Sequence, residues 1–163
     1  MKPKVYIETT IISYLASKPS RDLITAAHQQ ITHDWWETRL EDFEVYISQF
    51  VLDEAGAGDA DAAARRVALL SSFPLLDATP EASELASALV ERGAIPLRKA
   101  TDAAHIAVAT VHHMQFLLTW NCTHLANAEI WPQVRAICLA LGYAAPIVCT
   151  PEELSGGQDD PMA

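Results

Sequence analysis

The sequence has few basic residues: 11 lysines and arginines stand against 21 aspartates and glutamates, and the formal net charge is −10. Proteins that hold nucleic acid through its phosphates alone rely on clustered lysine and arginine, so the composition argues against that mode of binding. It does not exclude a nucleic-acid substrate, because carboxylates that hold divalent cations meet phosphate through the metal. The acidic balance also suits a basic protein partner.

Cysteines and long apolar runs are scarce as well. The three cysteines, Cys122, Cys138 and Cys149, are an odd number with wide spacing, which argues against a disulfide framework. No run approaches the roughly 18 consecutive apolar residues of a membrane-spanning helix. No apolar signal core follows the first four residues. We therefore expect a cytoplasmic protein with no membrane partner.

The motifs of several enzyme classes are missing. The chain has no G-x-x-x-x-G-K-[ST] loop or G-x-G-x-x-G turn to hold a nucleotide, and no G-x-S-x-G elbow of a serine hydrolase. Cys122 and His124 lie close together and His112 adjoins His113, but no CxxC or HExxH spacing accompanies them. A zinc site is therefore the weaker alternative, and any chemistry is expected from other groups.

Half of the 163 residues are hydrophobic, which suits one domain with a substantial core. Short β-rich runs alternate with helical patterns, and this alternation predicts an α/β fold with a central, mostly parallel sheet flanked by helices. Strands are predicted at 5–7, 44–48, 73–76, 116–119 and 147–149. Helices are predicted at 11–15, 21–40, 48–55, 59–72, 80–92, 100–113 and 130–141. We expect one domain over 1–154 and a disordered tail over 155–163.

Polar side chains fall near the ends of these strands. Glu8 directly follows the first strand and Asn121 follows the fourth, while Glu54 lies in the short helix after the second. Asp102 lies in the first turn of the most apolar helix. Each has an ordinary interpretation as a turn residue, a solvated helix residue or a helix N-terminal acid. Their joint placement at the carboxyl ends of the strands, where ligands bind, favours a cation site, because clustered carboxylates otherwise repel.

At these positions the chain resembles the PIN domain family. The stretch VYIETTIISYL at 5–15 looks like the opening of PIN domains, and SQFVLDE at 48–54 is similar to the segment with the second acid. The helix DAAHIAVA at 102–109 matches the third-acid helix. LLTWNCTHLAN at 117–127 looks like the fourth motif, and IVCTPEEL at 147–154 also fits. The resemblance covers nearly the whole chain in order, and the nearest relatives would be VapC-type toxins.

The resemblance implies a three-layer PIN-like fold and a ribonuclease that depends on Mg²⁺ or Mn²⁺. It also implies an RNA substrate, a homodimer and a co-encoded antitoxin. Thr10 and Thr119 would be supporting hydroxyls near the site. The catalytic and metal-binding positions would be Glu8, Glu54, Asp102 and Asn121.

Two residues depart from the family pattern, which has aspartate at both positions. Glu8 keeps the charge but adds a methylene, and Asn121 removes one negative charge. Magnesium requires near-ideal octahedral oxygen geometry, so both changes would weaken binding. The alternative function is therefore a PIN-fold binding or assembly module without nuclease activity.

Five further positions allow two interpretations. Arg98 and Lys99 precede Asp102 and either contact substrate phosphates or form an exposed pair at a helix start. His105, one turn beyond Asp102, is either a satisfied core histidine or a hydrogen-bond partner of the site. The adjacent tryptophans at 35 and 36 cannot share one helix face, so either one packs inward and the other faces a partner, or the helix is covered on two sides.

Overall fold

The computed structural model describes residues 1–157, and within them five strands form one sheet in the order β3-β2-β1-β4-β5. Every strand pairing is parallel. The predicted α/β class with a central sheet is confirmed, and the sheet is wholly parallel rather than mostly so. The strands are β1 (Lys4–Ile7), β2 (Glu44–Ser48), β3 (Leu75–Leu76), β4 (Phe116–Leu118) and β5 (Ile147–Cys149).

Seven α-helices connect and cover the strands within residues 1–157, as predicted for a central sheet flanked by helices. None of these helices is both long and apolar enough to cross a membrane. Short 3-10 turns occupy Leu40–Asp42 and Leu97–Lys99. The helices are α1 (Thr9–Ala16), α2 (Leu23–Thr38), α3 (Gln49–Ala55), α4 (Ala60–Leu70), α5 (Pro80–Glu91), α6 (Ala100–Val111) and α7 (Trp131–Ala140).

Some helices begin or end at other residues than predicted, because a polar residue caps the helix. The predicted helix over 21–40 begins later because Asp22 takes the N-cap position and accepts a hydrogen bond from the Thr25 backbone N–H at 2.9 Å. Ser48 occupies the predicted N-cap position of α3, but its side chain does not cap the helix. Its hydroxyl instead lies 2.7 Å from the Tyr6 hydroxyl in the core.

Strand β1 and helix α6 form the centre of the core. Val5, Tyr6 and Ile7 are fully buried, as is usual for a parallel strand with both faces covered. The apolar helix expected at the centre of the domain is α6, where Ile106 and Ala107 are also fully buried. These two elements provide a rigid support for polar side chains at their ends.

The register of the sheet brings the ends of β1 and β4 to one edge. Ile7 pairs with Leu118, and the next residue, Glu8, donates its backbone N–H to the Leu118 carbonyl at 3.0 Å. Glu8 and Thr119 therefore leave the sheet side by side. On the other side of β1, Tyr6 pairs with Tyr46 of β2, so α3 starts from the same edge.

The two adjacent tryptophans of α2 differ in burial. Trp35 is 2% exposed and donates its indole N–H to the Leu154 carbonyl at 3.2 Å. Trp36 is partly buried and meets Phe73 edge to face. Both side chains therefore pack against the domain, as in the interpretation that covers this helix on two sides.

The tail expected over 155–163 falls largely on 158–163, which lies outside the described residues, and its disorder stays a prediction.

Candidate metal centre

Glu8 is a buried carboxylate with one anchored oxygen. It occupies the N-cap position of α1 and is 4% exposed. Its Oε2 accepts hydrogen bonds from the Thr10 backbone N–H at 3.1 Å, the Thr10 hydroxyl at 2.5 Å and the Thr119 hydroxyl at 2.7 Å. No described residue donates to its Oε1. Three donors therefore fix the carboxylate while its second oxygen stays available to a ligand.

Glu54 of α3 shows the same asymmetry. Its Oε1 accepts from the Thr9 hydroxyl at 2.9 Å and lies 2.5 Å from Nε2 of His105. Its Oε2 receives no hydrogen bond from residues 1–157. Partial burial opposes ionisation of Glu54, but the hydrogen bonds and charge of His105 and the Thr9 hydroxyl outweigh it, so its pKa lies below the ordinary value. The side chain is thus an ionised acid with one free oxygen.

Asp102 contributes a buried oxygen without a partner. It lies in the first turn of α6, and its Oδ2 is buried and makes no hydrogen bond with the described residues. Burial raises the pKa of this carboxyl, the charge of Glu54 raises it further, and His105, His124 and Lys99 oppose the rise. An unpaired buried carboxylate oxygen beside a second acid is costly, and a cation would relieve that cost.

The ligand atoms of Glu8, Glu54 and His105 lie within 4.8 Å of one another. Asp102 is not part of that group, although it is close enough for the charges of Glu54 and His105 to affect its pKa. The group mixes two oxygen donors with one nitrogen, and with Asp102 the available oxygens are those that Mg²⁺ and Mn²⁺ prefer. Cys122 and His124 form no such group within the described part of the chain.

Asn121 lies beside the site, with its side chain engaged in the following loop. Its backbone N–H donates to the Thr119 hydroxyl at 2.9 Å, and its Oδ1 accepts from the His124 backbone N–H at 3.2 Å. A hydrogen bond from the side chain to a nearby backbone group is a common local role for asparagine. A carbonyl oxygen has a second lone pair, so the loop contact still leaves Oδ1 one acceptor position. A ligand role for Asn121 stays a prediction.

A small cavity of about 60 Å³ adjoins Asp102. Lys99, Thr123 and His124 line it, and it has room for ordered water. Arg98, in the same 3-10 turn as Lys99, is exposed. Lys99 therefore lies beside Asp102, and the exposed Arg98 precedes it in the chain.

Behind the acids lies a polar network that sequence reasoning resolved only in part. His105 is fully buried, and its Nδ1 lies 2.6 Å from the Tyr6 hydroxyl, which in turn contacts Ser48. The available signal was spacing: His105 follows Asp102 by three residues on one helix face, and Tyr6 precedes Glu8 by two on one strand face. The hydrogen bond from Thr9 to Glu54 had no such signal.

Comparison with known proteins agrees with this architecture. A sequence profile of the PIN domain matches residues 5–121. One similar structure is the crystal structure of VapBC2 from Rickettsia felis bound to a DNA fragment from the VapBC2 promoter. A chain of that structure superposes on this chain with a TM-score of 0.56 and 15% identity. The match covers 90% of this chain and 97% of that chain, and at this identity it concerns the fold. No curated protein sequence gives a significant match. Because the profile spans well over half of the chain and includes Glu8, Glu54 and Asp102, the protein belongs to the PIN domain family.

Proposed function

We propose that this protein is an endoribonuclease that depends on Mg²⁺ or Mn²⁺ and hydrolyses RNA phosphodiester bonds. The observation that supports this proposal is that ligand atoms of Glu8 and Glu54 lie within 4.8 Å of each other, with Asp102 near enough for the charge of Glu54 to raise its pKa. Each has an oxygen to which no described residue donates a hydrogen bond. Three such carboxylates suit one divalent cation with retained waters.

In this proposal the three acids, with Asn121 as a fourth position, hold the ion. When bound, the ion lowers the pKa of a coordinated water and stabilises charge on the scissile phosphate. Thr10 and Thr119 keep the Glu8 carboxylate in place, which limits its reorganisation when ligands bind. Because Asn121 is neutral, we infer one tightly held ion and a second that binds only with substrate.

The surroundings of the acids fit an RNA substrate that is mainly held at the site itself. Arg98 and Lys99 lie just before α6, and Lys99 supplies positive charge beside Asp102. The remaining charge is strongly negative, with a net value of −10, so the chain offers little general attraction for phosphate. We therefore expect cleavage of single-stranded or loop RNA, in which a single phosphate can reach the acids.

We further propose that the protein is the VapC-type toxin of a toxin–antitoxin pair, acts in the cytoplasm and forms a homodimer. The likeness in fold to a chain of VapBC2 supports the toxin assignment. The acidic surface suits an antitoxin with a basic segment, since opposite charges speed association and favour the correct partner.

A second candidate function is a PIN-fold binding or assembly module without nuclease activity. The observation that favours it is that Asn121 is neutral and its Oδ1 accepts from the His124 backbone N–H, so the site has one charge fewer than four acids would give. A module of this kind would fold and bind its partner equally well with or without divalent ions. Its acids would then have no role in RNA turnover.

Cleavage of a panel of structured RNAs in Mn²⁺ or Mg²⁺ separates the two functions. Glu54→Gln is expected to reduce the rate at least about 100-fold, since losing several kcal/mol of charge stabilisation costs that much. Asp53→Asn is the matched control, because Asp53 adjoins Glu54 on α3, is exposed, and among residues 1–157 its side chain accepts a hydrogen bond from Gln49 alone. Equal rates for the parent protein and Glu54→Gln would contradict the proposed function.

A further inference from the structure

His105 is bonded on both ring nitrogens, and the partners define the direction of each hydrogen bond. A carboxylate can only accept, so Nε2 of His105 donates to Oε1 of Glu54. In the tautomer that carries its proton on Nε2, Nδ1 accepts from the Tyr6 hydroxyl at 2.6 Å. Burial raises the pKa of Tyr6 far above its ordinary value, so this hydroxyl keeps its proton. In that tautomer the Ser48 hydroxyl, 2.7 Å from the Tyr6 hydroxyl, is the donor between the two.

The hydrogen bonds of His105 argue that it is not itself a metal ligand. Nε2 bonds Glu54 and Nδ1 bonds the Tyr6 hydroxyl, so both ring nitrogens are already engaged. The site therefore has its histidine behind the carboxylate.

Glu54 and Glu8 are held by the same device. In Glu8 the Thr10 and Thr119 hydroxyls anchor Oε2, and in Glu54 Thr9 and His105 anchor Oε1. The opposite oxygen of each carboxylate receives no donor from residues 1–157. A carboxylate anchored in this way presents one defined oxygen to a cation, and the two carboxylates present theirs from neighbouring elements.

We propose that His105 is the positioning residue of Glu54, and that Tyr6 and Ser48 hold its imidazole in the orientation and tautomer that donate to Oε1. This inference rests on the proposed function, because Glu54 must be a metal ligand for its orientation to matter. Buried support comes from three elements: Tyr6 lies on β1, Ser48 ends β2 and His105 lies on α6. The arrangement assigns to a fully buried histidine a role in metal affinity rather than in packing alone.

Two near-isosteric substitutions separate the two nitrogens of His105. The amide of Asn reaches the position of Nδ1, so His105→Asn keeps a partner for Tyr6 and loses the donor to Glu54. The amide of Gln reaches the position of Nε2, so His105→Gln keeps the donor to Glu54 and loses the Tyr6 contact. Thr110→Val is the control for general destabilisation of α6, because the buried Thr110 hydroxyl donates to the Ile106 carbonyl at 2.7 Å and contacts the Cys138 thiol, away from the acids.

The test measures the Mn²⁺ dissociation constant of the full chain by electron paramagnetic resonance, with thermal unfolding of each variant recorded in parallel. Loss of a hydrogen bond behind a metal ligand typically costs 10- to 100-fold in affinity, so we expect about that loss in His105→Asn. We expect His105→Gln to bind about tenfold more tightly than His105→Asn, and Thr110→Val to match the parent protein. A packing role would instead make affinity follow thermal stability.

Three outcomes overturn the inference. Equal affinities for His105→Asn and His105→Gln would show that the donor to Glu54 has no special role. Electron spin-echo modulation from a directly coordinated ¹⁴N in the parent protein would make His105 a ligand instead. In both cases Mn²⁺ still binds and the proposed function stands. A parent protein that binds no Mn²⁺ would contradict the inference and the proposed function together.

Discussion

The Thr119 hydroxyl donates to Glu8 Oε2 at 2.7 Å, joining residues that are 111 positions apart in the chain. The same hydroxyl accepts from the Asn121 backbone N–H at 2.9 Å. Thr119 follows β4 and Glu8 follows β1, so one fully buried side chain fixes the ends of two strands and the first acid of the site.

Removal of this hydroxyl is expected to destabilise the fold. Thr119→Val leaves the buried Glu8 carboxylate one donor short, and hydrogen bonds to charged groups contribute about 1.5–3 kcal/mol. Urea unfolding at pH 7 without divalent ions measures the change. Thr119→Ser keeps the hydroxyl and loses one methyl group. Its stability should therefore lie between those of the parent protein and Thr119→Val, closer to the parent protein. A Thr119→Val protein as stable as Thr119→Ser would contradict the account.

Asp102→Asn is expected to stabilise the metal-free protein. Asp102 Oδ2 is buried with no partner in the described chain, and neutralising a partly buried, unpaired carboxylate should raise the free energy of unfolding by roughly 1 kcal/mol. In millimolar Mn²⁺ the order should reverse, because only the parent protein gains the binding energy of the ion. Asp53→Asn is the control. Thermal unfolding with and without Mn²⁺ tests this reversal of the stability order. If the order does not reverse, Asp102 is not a ligand of the ion.

The stability of the metal-free protein should depend on pH through Asp102. Its pKa is raised by burial in the folded state, so between the ordinary and the raised value the folded chain binds more protons than the unfolded chain. Stability therefore falls as pH rises through this window. Glu54, whose pKa is lowered, has the opposite sign, and its contribution is lost as pH falls below the ordinary value. The difference in unfolding free energy between the parent protein and Asp102→Asn, measured against pH, isolates the contribution of Asp102. Parallel pH profiles of the two proteins would contradict this prediction.

Asn121→Asp tests whether the fourth position faces the ion. Aspartate keeps the acceptor for the His124 N–H and adds a negative charge beside the acids. Even at an effective dielectric constant of 20, a charge about 4 Å away changes binding by several kcal/mol, so we expect Mn²⁺ affinity to rise about tenfold or more. Calorimetric titration gives affinity and stoichiometry. Unchanged affinity would mean that the side chain serves the loop alone.

Arg98→Ala combined with Lys99→Ala should weaken RNA binding and leave Mn²⁺ affinity nearly unchanged. Each phosphate contact with a single strand contributes about 0.7 to the slope of log K against log salt, so the double variant should lose about 1.4. Lys2→Ala is the control, because Lys2 is exposed and precedes β1, at the opposite end of the strand from Glu8. An unchanged salt slope would leave the two basic residues as an ordinary exposed pair.

Much of the fold was accessible from the sequence because its signals are local. Apolar runs bounded by turns predict the strands, and the bounds of β2 and β5 agree with the prediction to the residue. The residues that follow β1 and β4 could be placed together because parallel strands share one carboxyl edge. Helix ends were less accessible, since the start of α2 depends on one side-chain hydrogen bond from Asp22.

The candidate site was accessible only in part, for a geometric reason. Sequence patterns predict which acids lie at an edge, but they do not give the side-chain orientation that decides which oxygen is anchored. The hydrogen bond from Thr9 to Glu54 and the contact of His105 with Tyr6 both span more than 40 positions. Ser48 shows the same limit. Its position predicts a helix cap, but its side chain bonds the buried Tyr6 hydroxyl instead.

The most direct measurement is a crystal structure of the protein with Mn²⁺, with the ion located by its anomalous scattering. The account predicts a peak within bonding distance of Glu8, Glu54 and Asp102, with His105 still bonded to Glu54 rather than to the ion. No peak at these acids under saturating Mn²⁺, or a peak at another site only, would contradict the claim that the three carboxylates meet to hold a divalent cation.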